Sequence, residues 1–131
     1  MEIRLLRNAE EKSVLRQHDE ALSIPHFSGE LLPFRSYLAA FEGKKLLGLA
    51  CFVESSSRIP GALGLGYLSV HPQERNRGVA TKLAQALFQL AQSEGKAIAN
   101  THYEPDGEKW LRPVMTRIAA QTTGVVLHER N

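Results

Sequence analysis

Arg75, Arg77 and Gly78 stand together in the run Arg75-Asn76-Arg77-Gly78-Val79-Ala80. Guanidinium groups carry fixed positive charge and forked donors that match phosphate oxygens. Gly78 has no side chain, so a ligand can come close to the backbone there. Ala80 keeps the next turn low. The chain beyond Gly78 repeats at helical spacing: Val79, Leu83, Leu87 and Leu90 share a face, with Ala80, Ala84, Ala86 and Ala91 beside them. A loop opening a helix presents unpaired backbone N–H groups, and the helix dipole adds partial positive charge. The expected ligand is an anion, most naturally a pyrophosphate. The plainer alternative is an exposed basic turn, and a lone glycine between arginines would favour it.

The residues before the loop tip the balance toward a site. Leu65, Tyr67, Ser69 and Val70 make a short strand-forming run, and His71-Pro72 ends it because proline has no N–H for a ladder. Strand, basic glycine loop and small-residue helix thus succeed one another from Gly64 to Ala91. This is not a dinucleotide fingerprint, which wants three spaced glycines and an acid about 20 residues later. No phosphate-loop lysine and no metal-ligand cluster is present, so no metal is expected.

The elements that must position this loop can be read in outline. With 131 residues, 43% of them hydrophobic, the chain is expected to fold as one domain over residues 1–131. Net charge is +2 with five histidines neutral, too little to point to nucleic acid. Cys51 is the single cysteine, which suits a reducing compartment, and its apolar surroundings favour a buried thiol over a nucleophile. No apolar run approaches the roughly 20 residues of a membrane span. The N-terminus lacks a leader pattern. The expected setting is cytoplasmic, with no membrane partner.

In chain order, Ile3 to Arg7 suggests a first strand. Asn8 with Glu11 resembles a helix cap, and Val14, Leu15, His18, Ala21 and Leu22 then make one helical face. Ser23 to Ser36 reads as a loop around one short helical turn. Tyr37–Glu42 and Lys45–Glu54 read as a strand pair turning at Gly43, and the apolar second run should be covered on both faces. A polar turn leads to the Leu63–Val70 strand. Gly95 should stop the main helix, and Lys96–Tyr103 should be the next strand. Asp106 is a plausible cap for a helix bearing Trp110, Leu111, Val114, Met115, Ile118 and Ala119. Pro113 should kink that helix or mark its start. Gly124–His128 makes a last strand, and Trp110 reads as packing.

Tyr67-Leu68-Ser69-Val70-His71-Pro72 followed by Arg75-Asn76-Arg77-Gly78-Val79-Ala80 resembles the acetyl-CoA signature of the GCN5-related N-acetyltransferases, the GNAT superfamily. The signature is Arg/Gln-x-x-Gly-x-Gly/Ala, and Arg75, Gly78 and Ala80 fill its defined positions. The resemblance implies an α/β (α+β) fold: a mixed, mostly antiparallel sheet of about six strands with helices on both faces. The sheet would splay between its fourth and fifth strands. Leu68, Ser69 and Val70 would lie along the pantetheine arm. Arg75, Arg77, Gly78, Val79, Ala80 and Thr81 would surround the pyrophosphate, and Asn76 would offer its backbone amide. Ser23–Ser36 would help form the acceptor site, with His26, Glu30 and Arg35 nearby. The family's seventh strand has no counterpart here, so the acceptor side would be open or completed by a second copy in a homodimer.

Acetyl transfer to an amine needs a base for the amine and an acid for the leaving thiolate. The tyrosine that often serves as acid in the family stands in a Leu-Tyr-x-x-x-Gly-Phe-like pattern, and Arg117 to Val125 contains no tyrosine. His102 and Tyr103 are the substitutes, with Glu54 a second base candidate. Alternation puts His102 and Tyr103 on opposite sides of a strand. The leading expectation is an acetyl-CoA-dependent N-acetyltransferase acting on a primary amine of a small molecule, peptide or protein. The alternative is a non-catalytic acetyl-CoA-binding regulatory module with the same fold.

Overall fold

The computed structural model describes residues 1–100, 103 and 105–129. The chain opens with strand β1 (Glu2–Leu6) and a single turn of helix α1 (Ala9–Lys12). A reciprocal cap starts α1: Asn8 Oδ1 accepts from Glu11 N at 2.7 Å, and Glu11 Oε1 accepts from Asn8 N at 3.0 Å. The amphipathic helix expected to run on to Leu22 does not form. Two 3₁₀ turns, Ser13–Gln17 and Asp19–Ser23, take its place, separated at His18 by an extended backbone. Leu15, Ala21 and Ile24 are buried while Leu22 is 68% exposed, and spacings of six and three suit three residues per turn. The Glu20 carboxylate accepts from Leu46 N at 3.0 Å, tying the segment to the sheet. Residues 24–34 form turns without the expected helical turn. Phe27 is buried there and Phe34 is exposed.

Strands β2 (Arg35–Glu42) and β3 (Lys45–Val53) form the expected hairpin, and Gly43 takes a φ of +61° at its turn. Then come β4 (Leu63–Val70), α2 (Val79–Glu94), β5 (Ile98–Asn100), α3 (Pro105–Gln121) and β6 (Leu127–Glu129). The sheet runs in chain order from β1 to β6. Pairing is antiparallel from β1 to β4, then parallel for β4–β5 and β5–β6. The switch comes from the connections: from β1 to β4 each strand begins at the end of the sheet where the last one stopped, whereas α2 and α3 carry the chain back to the opposite end.

β3 is buried on both faces, as its apolar run suggests. On one face α2 and α3 pack Leu83, Leu87, Phe88, Met115 and Ile118 against Ala50, Phe52, Leu63 and Ile98. On the other, the 3₁₀ turns and residues 24–34 cover Tyr37, Phe41, Leu49 and Cys51. Helical elements thus lie on both faces, long α-helices on one and short 3₁₀ helices on the other. α2 sits so close to the sheet that a Cβ on Gly48 would lie 2.9 Å from the Ser69 carbonyl oxygen. It would also lie 3.2 Å from the Val79 and Leu83 side chains.

α3 departs from its expected outline at Asp106 and Trp110, and of the two readings of Pro113 the one that puts it inside the helix holds. Asp106 lies inside its first turn and is not its cap. Pro113 sits within the helix, which continues past it because Leu111, Met115 and Ile118 are held in the core on either side. Trp110 does not join that buried face and is 41% exposed. Among the described residues no helix is long and apolar enough to cross a membrane.

Candidate functional site

β4 and β5 meet only at Leu63–Ile98 and Gly64–Ala99. Past that point β4 runs on to Val70 with no described strand on its β5 side. The cause of the parting lies in β4 itself. Cys51 pairs with Tyr67 and Phe52 pairs with Leu65, so Gly66 is an extra residue on β4. Such a bulge bends its strand and breaks the ladder. A Cβ at Gly66 would lie 3.2 Å from the Cys51 carbonyl oxygen, so glycine suits the close approach. Among the described residues, no strand pairs with that side of β4 along Leu65–Val70, which leaves its backbone donors and acceptors facing the cleft.

That edge forms one wall of a cleft of about 1150 Å³. The wall leads into the basic loop and the first turn of α2. Asn100, Tyr103 and the start of α3, including Trp110, also line it, as do Pro25, His26 and Arg35. The loop is held open to ligands by its backbone. After the Pro72–Glu74 turn, Asn76 and Gly78 both adopt left-handed conformations, with φ of +66° and +80°. No side chain caps the N-terminus of α2, and nothing lies within 4 Å of where a Gly78 Cβ would be. The first N–H groups of a 16-residue helix thus face open space.

Leu68, Ser69, Val70, Arg75, Asn76, Gly78, Val79, Ala80 and Thr81 all line this cleft. Arg77 does not. Its guanidinium donates to both Glu42 oxygens at 2.8 and 2.7 Å and to Glu74 at 3.1 Å. The Glu42 carboxylate, and then Glu74, hold that guanidinium above its ordinary value. Lys45 lies 2.7 Å from the buried Glu74 carboxylate and, with Arg77, holds it below the usual range. Arg77 therefore braces the loop against the β2–β3 hairpin, leaving Arg75 exposed at the cleft.

Of the catalytic candidates, Tyr103 lines the cleft, but its hydroxyl is buried with no hydrogen-bond partner among the described residues. Burial first, and then the nearby Glu129 carboxylate, push that phenol well above its ordinary value. His102 lies outside the described residues. Glu54 is not brought to the cleft. It sits in a separate hollow, accepting from Arg7 at 2.9 and 3.0 Å and from Ser36 Oγ at 2.9 Å. Burial works to raise its carboxyl, yet the Arg7 and Ser36 bonds prevail and hold it below the usual range.

Two cleft residues escape a reading of the sequence. Trp110 shares the helical spacing of its buried neighbours, and nothing local sets it apart. Asn100 is a buried amide in an apolar strand, and its Nδ2 has no partner among the described residues. A polar side chain in such a run was the available signal.

A mixed sheet with an open cleft along β4, leading to a basic loop and an uncapped helix, defines an α/β protein. The sequence matches the family model described as the acetyltransferase (GNAT) family over residues 3–109, and the chain belongs to that family. No curated protein matches the sequence. Among solved structures, the fold is similar to AAC(6')-Iy in complex with the bisubstrate analogue CoA-S-monomethyl-acetylneamine. That match has 18% identity and a TM-score of 0.60, covering 89% of this chain and 88% of that one. It is also similar to a ribosomal-protein-alanine N-acetyltransferase from Brucella melitensis biovar Abortus 2308. There the identity is 15% and the TM-score 0.62, over 89% of each chain. A transcriptional regulator from Bacillus halodurans C-125 shares the fold at 11% identity and a TM-score of 0.60, over 88% of this chain and 91% of that one.

Proposed function

We propose that residues 1–131 form one acetyltransferase domain that moves an acetyl group from acetyl-CoA to a primary amine of a small molecule, peptide or protein. The observation that carries this is the continuity of the free β4 edge with the open N-terminus of α2. An amide-rich arm ending in a pyrophosphate needs those two features in that order. The residues present fit such a group. Among the described residues the Leu65–Val70 side of β4 has no strand partner and Asn100 Nδ2 has no hydrogen-bond partner, and the space at Gly78 admits an anion. Leu68, Ser69 and Val70 would hold the pantetheine arm. Arg75, Asn76, Gly78, Val79, Ala80 and Thr81 would hold the pyrophosphate, with Arg77 contributing through its main chain.

When bound, acetyl-CoA supplies an activated thioester. Tyr103 is the candidate to donate a hydrogen bond to the departing sulfur, since a raised phenol stays protonated at neutral pH. Its burial means that the ring must shift for the hydroxyl to reach a ligand. That burial favours the second reading, a non-catalytic module that binds acetyl-CoA and regulates a partner. The lone, buried Cys51 supports a reducing, cytoplasmic setting.

Titration calorimetry with acetyl-CoA, followed by an amine-dependent assay of CoA release, tests both readings. Binding with turnover supports the enzyme. Binding without turnover across an amine panel supports the module. No binding by folded protein removes both.

A further inference from the structure

Three arginines among the described residues are half-buried: Arg7, Arg35 and Arg112. Arg7 pairs with Glu54 and Glu94, and Arg112 pairs with Glu108 and Glu129. Arg35 has no carboxylate partner among the described residues. Its guanidinium lies 5.8 Å over the exposed Phe34 ring, and its Nη1 is 4.0 Å from Cys51 Sγ. A cation held partly away from water without a counter-charge is costly, and a ligand anion would remove that cost.

Among the described residues its surroundings offer no competing anion. Arg35 begins β2, and Tyr37, Cys51 and Tyr67 form a row across β2, β3 and β4 on the same face of the sheet. Burial keeps the Cys51 thiol and the Tyr67 phenol protonated and pushes Tyr37 up to about 12. His26 tilts over Tyr67 at 5.7 Å between ring centres, in a left-handed conformation with φ of +73°. His26 and Asn76 are the non-glycine residues with such backbones among the described residues, and both line the cleft. Asn76 belongs to the basic loop, whereas His26 lies against Tyr67, the strand neighbour of the Cys51 that Arg35 approaches.

From the guanidinium of Arg35, which lines the cleft without a carboxylate partner among the described residues, we infer that the acceptor is an amine that also bears a carboxylate, an amino acid. This rests on the acetyl-transfer reading above. Two parallel N–H bonds from one guanidinium match a planar carboxylate. The same cation disfavours a second positive charge nearby, so it helps keep the acceptor amine in the neutral form that can attack. In that attack the amine nitrogen forms a bond to the acetyl carbon, the carbon–sulfur bond breaks, and the amine proton is lost as the thiol is made.

The test compares matched acceptors at saturating acetyl-CoA: alanine, alaninamide and ethylamine, then phenylalanine, phenylalaninamide and phenethylamine. CoA release is followed with the unaltered protein, Arg35→Gln and Arg35→Lys, each checked by thermal unfolding. The acids should be preferred in kcat/KM by about ten- to a hundredfold, the size of a lost charge-assisted pair. Arg35→Gln should raise KM for the acids by a similar factor and leave KM for acetyl-CoA in place. Its effect on the amides should be far smaller, and Arg35→Lys should recover part of the preference. Equal use of acids, amides and amines, or a preference that survives Arg35→Gln, overturns the inference. If nothing turns over, calorimetry of the same acids into CoA-saturated protein decides. Arg35-dependent binding supports the carboxylate site while removing the catalytic reading, and absence of binding overturns the site itself. Failure to bind acetyl-CoA would strike the cofactor reading, and Arg35-dependent binding of the same acids to the protein without CoA would then decide the carboxylate site, its absence overturning it.

Discussion

Replacing Gly78 by Glu and by Gln separates two effects at one position. Either side chain must accept the φ of +80°, a left-handed backbone that costs an L-residue about 1–2 kcal/mol. Neither meets a steric block at its first atom, since nothing lies within 4 Å of the Cβ position. Both variants should therefore fold and melt several degrees lower, at about 4 °C per kcal/mol for a chain of this size. The carboxylate then acts in two opposite directions. At the N-terminus of α2 it meets the positive end of the helix dipole, so Gly78→Glu should be the more stable variant by about 0.3–1 kcal/mol. A pyrophosphate in the loop would meet the same carboxylate as a like charge. At roughly 5 Å and an effective dielectric constant of about 20, the repulsion is ~3 kcal/mol per unit charge. That corresponds to about a hundredfold weaker binding of acetyl-CoA than Gly78→Gln shows, shrinking as salt is raised. Calorimetry at two salt concentrations, beside thermal melts, reads both signs. Equal affinities for the Glu and Gln variants would refute an anion at this loop.

Other outcomes are tied to single positions. Tyr103→Phe should slow amine-dependent CoA release about ten- to a hundredfold. It should leave the melting temperature unchanged or slightly raised, because the hydroxyl has no described partner to lose. Equal rates would exclude Tyr103 as the donor. Gly48→Ala should destabilise the fold by about 1–3 kcal/mol through overpacking, since the new methyl would press on the Ser69 carbonyl oxygen at 2.9 Å. An unchanged chemical-denaturation midpoint would argue against that contact. Stability should fall at alkaline pH. Tyr37 is raised to about 12 in the folded chain against an ordinary 10, so its contribution is full below pH 10 and lost as pH rises through 12. The Tyr37→Phe variant should lack part of that loss in pH-dependent melts.

How much of this was legible in the sequence depended on how local each signal is. The β4 strand, its loop and α2 were readable because proline, glycine and a helical repeat each act within a few residues. The segment after Asn8 was not. Its apolar residues fit 3.6 and 3.0 residues per turn almost equally over so short a span. The Glu20 carboxylate settles the matter by reaching Leu46 N, 26 positions away. Arg75 and Arg77 are equivalent as written, and Glu42, 35 positions from Arg77, decides which of them faces the cleft. Glu54 ends its strand where a base could stand, and Arg7, 47 positions away, claims it. Each failure lies where a charged partner distant in sequence chose between arrangements that look alike locally.

The extra residue in β4 also sets the phase of the strand. Leu63 and Leu65, before Gly66, face the helices, and so do Leu68 and Val70 after it. Odd positions point inward on one side of the glycine and even positions on the other. Side chains alternate strictly along a regular strand, so the even-numbered Leu68 and Val70 share a face with the odd-numbered Leu63 and Leu65 only because one residue between them drops out of the count. Without Gly66 the rest of β4 would pair one for one with β3, Leu65 with Phe52, Tyr67 with Cys51 and Leu68 with Ala50, and every side chain would keep its face. Deleting Gly66 would thus straighten β4 and leave the helix-covered core intact, so the bend of this strand and the packing of its side chains are separable instructions.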